Sequence, residues 1–126
     1  QLTSLESKVD KRRSIYEYYM NSINGYKGIS VMPRDAFGKA NCWLTCITID
    51  KSSSLNPDIV RFALEKENIE SRPLWKPMHL QPVFASCRSF TNGVSEDLFN
   101  RGLCLPSGSS LTDDDLERIV AVVKKL

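Results

Sequence analysis

The chain has 126 residues, 41% of them hydrophobic and 25% charged, a balance that excludes a disordered polypeptide and suits one compact domain burying roughly two thirds of the surface its unfolded form exposes. A formal net charge of +2, with cations and acids interspersed, excludes the strong positive field that holds a phosphate backbone, so nucleic acid is not an expected partner. No apolar run approaches the roughly 20 residues that cross a bilayer, and the polar opening QLTSLESKVDKRR is no secretory signal, so no membrane association and a cytoplasmic location are expected.

In chain order, Leu2, Leu5, Val9, Tyr16, Tyr19, Met20 and Ile23 recur at three- and four-residue spacings, one apolar stripe of a helix. The stripe is already running at Leu2 with no capping residue before it, so the helix is expected to begin upstream of Gln1. Gly25 and Gly28 end it. GISVMP, closed by Pro33, reads as an edge strand and DAFGKAN as a loop. CWLTCITID, apolar on both faces, reads as the central strand of a sheet. Asn56 as cap, Pro57 at the first position and Asp58 at the positive dipole end predict a helix with Val60, Ala63 and Leu64 inward. Asn68 fits the left-handed position that stops it, and IESRPLW then extends.

Ser95 is expected to cap a short helix, EDLFNR, ended by Gly102, and LCLPS is a further strand. Thr112 caps the last helix, with Asp113, Asp114 and Asp115 at its positive end, Lys124 and Lys125 at its negative end, and Leu116, Ile119, Val120 and Val123 buried. The predicted fold class is α/β (α+β): helices packed on a small mixed, largely antiparallel sheet, in the order helix, strand, strand, helix, strand, helix, strand, helix.

Four cysteines, Cys42, Cys46, Cys87 and Cys104, raise the question of a disulfide or a metal site. On one strand, Cys42 and Cys46 would stand about 13 Å apart, too far for either. All four are expected to be unpaired, with no metal bound, as in a reducing compartment.

Polar chemistry concentrates in NIESRPLWKPMHLQPVF, residues 68–84. Pro73, Pro77 and Pro82 are expected to hold residues 72–84 extended and able to present side chains. Arg72 and Lys76 suit phosphate or carboxylate oxygens, Trp75 an apolar wall, and His79 and Gln81 hydrogen bonds. Together they fit an anionic, hydroxyl-rich ligand. Taken singly, each has a plainer role: solvated cations, a gap-filling tryptophan, a loop histidine. The histidine has no acid partner evident in sequence. There is no nucleophile elbow and no phosphate-cradling glycine loop.

That stretch, followed by SEDLFNRGLCLPSGSSLTDDDLERIV, resembles the C-terminal segment of the DegT/DnrJ/StrS family of pyridoxal-phosphate-dependent sugar aminotransferases. The opening QLTSLESKVDKRRSIYEYY is similar to the family's helix linking its large cofactor domain to its small C-terminal domain. The resemblance is weakest over residues 24–41 and 85–92. It implies that residues 1–23 are the C-terminal part of the interdomain helix and residues 24–126 the small domain of a fold-type-I aminotransferase, with the large cofactor domain absent.

The implied parent enzyme is a transaminase, a homodimer that moves an amino group from glutamate to a nucleotide-linked keto sugar, in cell-surface polysaccharide or glycan biosynthesis. The resemblance implies pyridoxal 5'-phosphate in that parent. It implies none bound to this chain, since no lysine here stands in the family's Schiff-base motif; the chain alone is expected to be inactive. It further implies that Arg72, Trp75, Lys76, His79 and Gln81 close over the substrate, with catalytic residues elsewhere. A stand-alone nucleotide-sugar-binding or regulatory module is the alternative, and an RNA-binding plait is disfavoured by the lack of a base-stacking strand pattern.

Overall fold

A computed structural model describes residues 2–126; Gln1 and the side chain of Leu2, the first member of the predicted stripe, lie outside the described residues. Helix α1 spans Leu5–Ile23 after a 3-10 turn at Leu2–Ser4. The stripe is buried only in its C-terminal half, at Tyr16, Tyr19 and Ile23 with the adjacent Ile15, while Leu5 is exposed, because only that half packs against the sheet and the last helix. Three side chains of α1 bolt it to distant loops. Tyr16 Oη donates to Met32 O at 2.9 Å, Tyr19 Oη to Pro106 O at 2.9 Å and Arg13 Nε to Ala40 O at 2.9 Å. Burial pushes the Tyr19 hydroxyl pKa up, so it stays protonated as that donor.

A tight reversal follows. Gly28 takes φ +79°, and a Cβ there would also press on Ser53 and Asp50. The strands are β1 Ile29–Val31, β2 Thr45–Ile49, β3 Arg72–Pro73 and β4 Gly102–Leu105, and the helices after α1 are α2 Pro57–Lys66, α3 Val94–Arg101 and α4 Asp113–Lys124. The element order is the predicted one. The sheet order is β1-β2-β4-β3 with every pairing antiparallel.

Register puts Ile47 opposite Leu103 and Thr45 opposite Leu105. By the alternation of strand side chains, these residues with Ile49, Ile29 and Val31 face α1, α2 and α4. There Ile15, Tyr19, Val60, Leu64 and Val123 complete one buried core. The opposite face carries Cys46, Thr48 and Cys104, and α3 lies in contact with both β2 and β4. Gly102 joins α3 to β4 with no intervening residue, and a Cβ on it would lie 2.6 Å from Leu98 O and 2.1 Å from Leu74 Cδ1.

The predicted caps and stop at Asn56, Asn68 and Thr112 hold. Asn56 Oδ1 accepts from Ile59 N at 2.9 Å, Asn68 is left-handed at φ 57°, and Thr112 forms a reciprocal capping box with Asp115.

Three expectations are corrected. Cys42–Leu44 are not strand, because Cys42 turns left-handed at φ 49° and Asn41 Oδ1 accepts from Trp43 N at 3.0 Å, so β2 starts at Thr45. Ser95 is no cap: Gly93 holds that position, and Asn92 Oδ1 accepts from Val94 N at 3.2 Å. Residues 72–84 are not extended throughout. Two 3-10 turns, Met78–Leu80 and Pro82–Phe84, then fold the segment up, since a proline's fixed φ opens a helical turn as readily as it interrupts a ladder.

Candidate functional site

Trp43 and Trp75 form the wall of a cleft. The turn at Asn41–Cys42 swings Trp43 out just before β2, and Trp75 follows β3 with one residue between, so the two strands that flank β4 bring together two rings far apart in sequence. Their centroids lie 6.0 Å apart at 38°, and the residues remain 57% and 64% exposed. An apolar pair of that size left in water is a surface built to be covered. The cleft holds about 630 Å³ and is bounded by Trp43, Trp75, β3, the stretch following β4 and the first turns of α4.

Its polar groups are few and placed. Arg72 reaches Glu70 with Nε and Nη2 at 2.8 and 2.7 Å, leaving a largely exposed guanidinium at the rim. Arg118, also in the lining, donates to Glu67 O. Asp115 is held below the usual carboxylate range because it accepts from the backbone N–H and hydroxyl of Thr112. Ser71 Oγ is buried at the cleft with no hydrogen-bond partner. Two arginines, one unsatisfied hydroxyl and an indole pair can take a ligand that is anionic at one end and flat or ring-shaped at the other.

Of the five residues singled out in sequence, Arg72 and Trp75 line this cleft. Lys76 is exposed beyond it. His79 points to α3, with Nε2 2.8 Å from Glu96 Oε1, an acid partner hidden from sequence by a separation of 17 positions. Gln81 turns back on its own loop, donating to Lys76 O at 3.0 Å. Lys76, His79 and Gln81 therefore shape the loop that carries Trp75. Trp43, Ser71 and Arg118 were missed. The Asn-Cys-Trp stretch carried a signal for Trp43, an Asx turn in place of continuous strand; nothing local marks Ser71 or Arg118.

A Schiff-base lysine has to be desolvated and held against its cofactor ring. Among the described residues no lysine is buried. Eight of the nine are exposed, and the half-buried Lys11 pairs with Asp113 at 3.5 Å. These residues do not by themselves fit pyridoxal phosphate. Nor does any group of three or more His, Cys, Asp or Glu among the described residues suit a metal ion. No helix among them is long and apolar enough to cross a membrane.

The fold belongs to a known class of protein. The model of the DegT/DnrJ/EryC1/StrS aminotransferase family matches residues 1–124, and the chain belongs to that family. EpsN of Bacillus subtilis (strain 168), which carries the name of a pyridoxal phosphate-dependent aminotransferase, is 46% identical over 131 residues, covering 100% of this chain and 33% of its own length. The GDP-perosamine synthase of Vibrio cholerae is 28% identical over 130 residues, 98% of this chain and 34% of that protein. Among solved structures, the aminotransferase TlmJ of Streptoalloteichus hindustanus superposes with a TM-score of 0.85 at 25% identity, covering 99% of this chain and 33% of that one. The chain thus spans about a third of the length of these relatives.

Proposed function

We propose that this chain is the small C-terminal domain of a pyridoxal-phosphate-dependent aminotransferase that moves an amino group from glutamate to a keto sugar carried on a nucleotide, in the making of a cell-surface polysaccharide or glycan. Residues 1–23 belong to the helix that joins it to a large domain supplying the reactive lysine. The working enzyme is a cytoplasmic homodimer, and the chain by itself is inactive. The observation that carries this reading is the family match over residues 1–124, with GDP-perosamine synthase among the relatives as support for a nucleotide-linked sugar.

Roles follow from the chemistry of the cleft. The Trp43–Trp75 pair stacks on the base or packs against the apolar face of the hexose, Arg72 and Arg118 face the phosphates, and Ser71 Oγ accepts or donates to a sugar hydroxyl. His79, Gln81 and Lys76 hold the Trp75 loop over the bound ligand. None of these groups moves a proton at the reacting carbon.

The test uses the full-length polypeptide containing this chain. Trp43→Ala is expected to raise the KM for the nucleotide-linked keto sugar roughly tenfold, since one stacking contact contributes about 1–3 kcal/mol, with kcat and the KM for glutamate little changed. An unchanged sugar KM removes the cleft from the substrate path. Borohydride reduction of the 126-residue chain with pyridoxal phosphate that labels one lysine stoichiometrically defeats the assignment of the reactive lysine to another domain.

A further inference from the structure

The proposed transfer reaction leaves one chemically competent group unused. Cys46 on β2 and Cys104 on β4 are direct cross-strand partners, with Sγ atoms 3.7 Å apart. Their pairing has a particular geometry. Met32 N donates to Cys46 O at 2.9 Å, so the backbone groups of Cys46 point to β1. Toward β4 the pair is therefore of the non-hydrogen-bonded kind, in which facing Cα atoms stand about 4.5 Å apart and side chains are closest. That spacing lies within the roughly 4.4–6.8 Å a disulfide spans, so a bond requires side-chain rotation and no strand movement.

Access and reactivity agree with this. Cys104 is only 6% exposed, yet it lines the cleft beneath Trp75, and Cys46 is half-buried. The two thiols are hydrogen-bonded, with either sulfur able to donate, and that contact draws the Cys104 pKa down and, together with burial, pushes that of Cys46 up. Cys104 lines the cleft and Cys46 does not, so a small oxidant entering the cleft meets Cys104 first and Cys46 is the second thiol. Cys42 and Cys87 are also free and have no such neighbour in the described structure.

We propose that Cys46 and Cys104 form a two-electron oxidation site that closes reversibly to a disulfide across the middle of the sheet when the protein meets a small peroxide. The Cys104 thiolate attacks a peroxide oxygen, the O–O bond breaks, and water leaves once its oxygen is protonated. The resulting sulfenic sulfur is attacked by Cys46, which loses its proton as the S–O bond breaks and a second water departs. Two thiols and one hydrogen peroxide become one disulfide and two waters, sulfur being oxidised and oxygen reduced. A dithiol reductant reverses it. The bridge ties the two central strands at the floor of the cleft.

The experiment uses the full-length protein carrying Cys87→Ser, which removes the exposed thiol. After brief hydrogen peroxide treatment and quenching, free thiols are alkylated in denaturant and the protein is digested with trypsin without reduction. The expected product is residues 40–51 linked to residues 102–118, two hydrogens lighter than the two peptides together. Fragmentation should place the link on Cys46 rather than Cys42, and dithiothreitol should abolish it. In Cys46→Ser the linked species disappears and dimedone traps a sulfenic acid on Cys104. Phenylarsine oxide, whose arsenic bridges two close sulfurs, should protect Cys46 and Cys104 together from alkylation in the untreated protein, a readout that needs no variant to fold. The proposal is overturned if both cysteines remain fully alkylated at peroxide doses that oxidise free glutathione completely, if the link falls on Cys42, or if the arsenical protects neither.

Discussion

Replacing Gly102 by alanine tests the packing that sets the Trp75 side of the cleft. The backbone at Gly102, φ −105° and ψ 151°, is open to any residue, so no dihedral strain enters. The obstacle is space. A Cβ would stand 2.6 Å from Leu98 O, a helix carbonyl that can recede only by loosening the last turn of α3, and 2.1 Å from Leu74 Cδ1, a side-chain end that can swing away. Overpacking of this kind costs about 1–3 kcal/mol, offset by about 0.4–1 kcal/mol because alanine restricts the unfolded chain. The net loss is about 1–2 kcal/mol, or roughly 4–8 °C in Tm for a domain of this size. Urea unfolding followed by circular dichroism measures it, with an unchanged slope expected. Leu74→Ala in the same chain should recover only part of the loss, since it relieves the side-chain clash and leaves the carbonyl one. A Gly102→Ala chain as stable as the parent, or full rescue by Leu74→Ala, would refute the assignment of the clash to α3.

Two further outcomes are expected. His79→Ala removes the bond to Glu96 and should speed hydrogen exchange across residues 74–85 while lowering global stability by less than about 1 kcal/mol; unchanged protection there would show that the two 3-10 turns hold the loop unaided. In acid, Asp97 is held below the usual carboxylate range by Lys51 and then Arg101, and Asp115 by Thr112. A carboxyl whose pKa is depressed on folding contributes stability that is fully present above its unfolded value of about 3.9 and lost as the pH falls through the folded value. The urea midpoint should therefore drop below about pH 4, and Asp97→Asn with Asp115→Asn should flatten that drop; an unaltered profile would remove both groups from the acid transition.

What sequence disclosed and what it hid divide along one physical line. Caps and stops are local: Asn56, Asn68 and Thr112 bond to backbone within a few positions, so their chemistry could be read directly, and with it the order of all eight helices and strands. The cleft depends on pairings between remote segments. Trp43 meets Trp75 only because β2 and β3 flank β4, His79 meets Glu96 only because the loop folds back on α3, and Cys46 meets Cys104 only through a register that no window of sequence contains. The proline-rich loop was recognisable as a place of concentrated chemistry, but proline serves extended chain and 3-10 turn equally, so its shape was not legible. The apolar stripe of α1 predicted its helix well and its burial only in part, because periodicity reports a face and not what covers it.

The sheet order has a consequence for how the molecule is made. β2 pairs on one side with a strand 14 residues upstream in the chain's own neighbourhood, β1, and on the other with β4, so a growing polypeptide leaving the ribosome carries β2 with one naked flank until Gly102–Leu105 has emerged. During that interval a second nascent copy offers the same unsatisfied backbone. The speed with which the late-arriving strand closes that flank then bears on how much polypeptide reaches the correct shape.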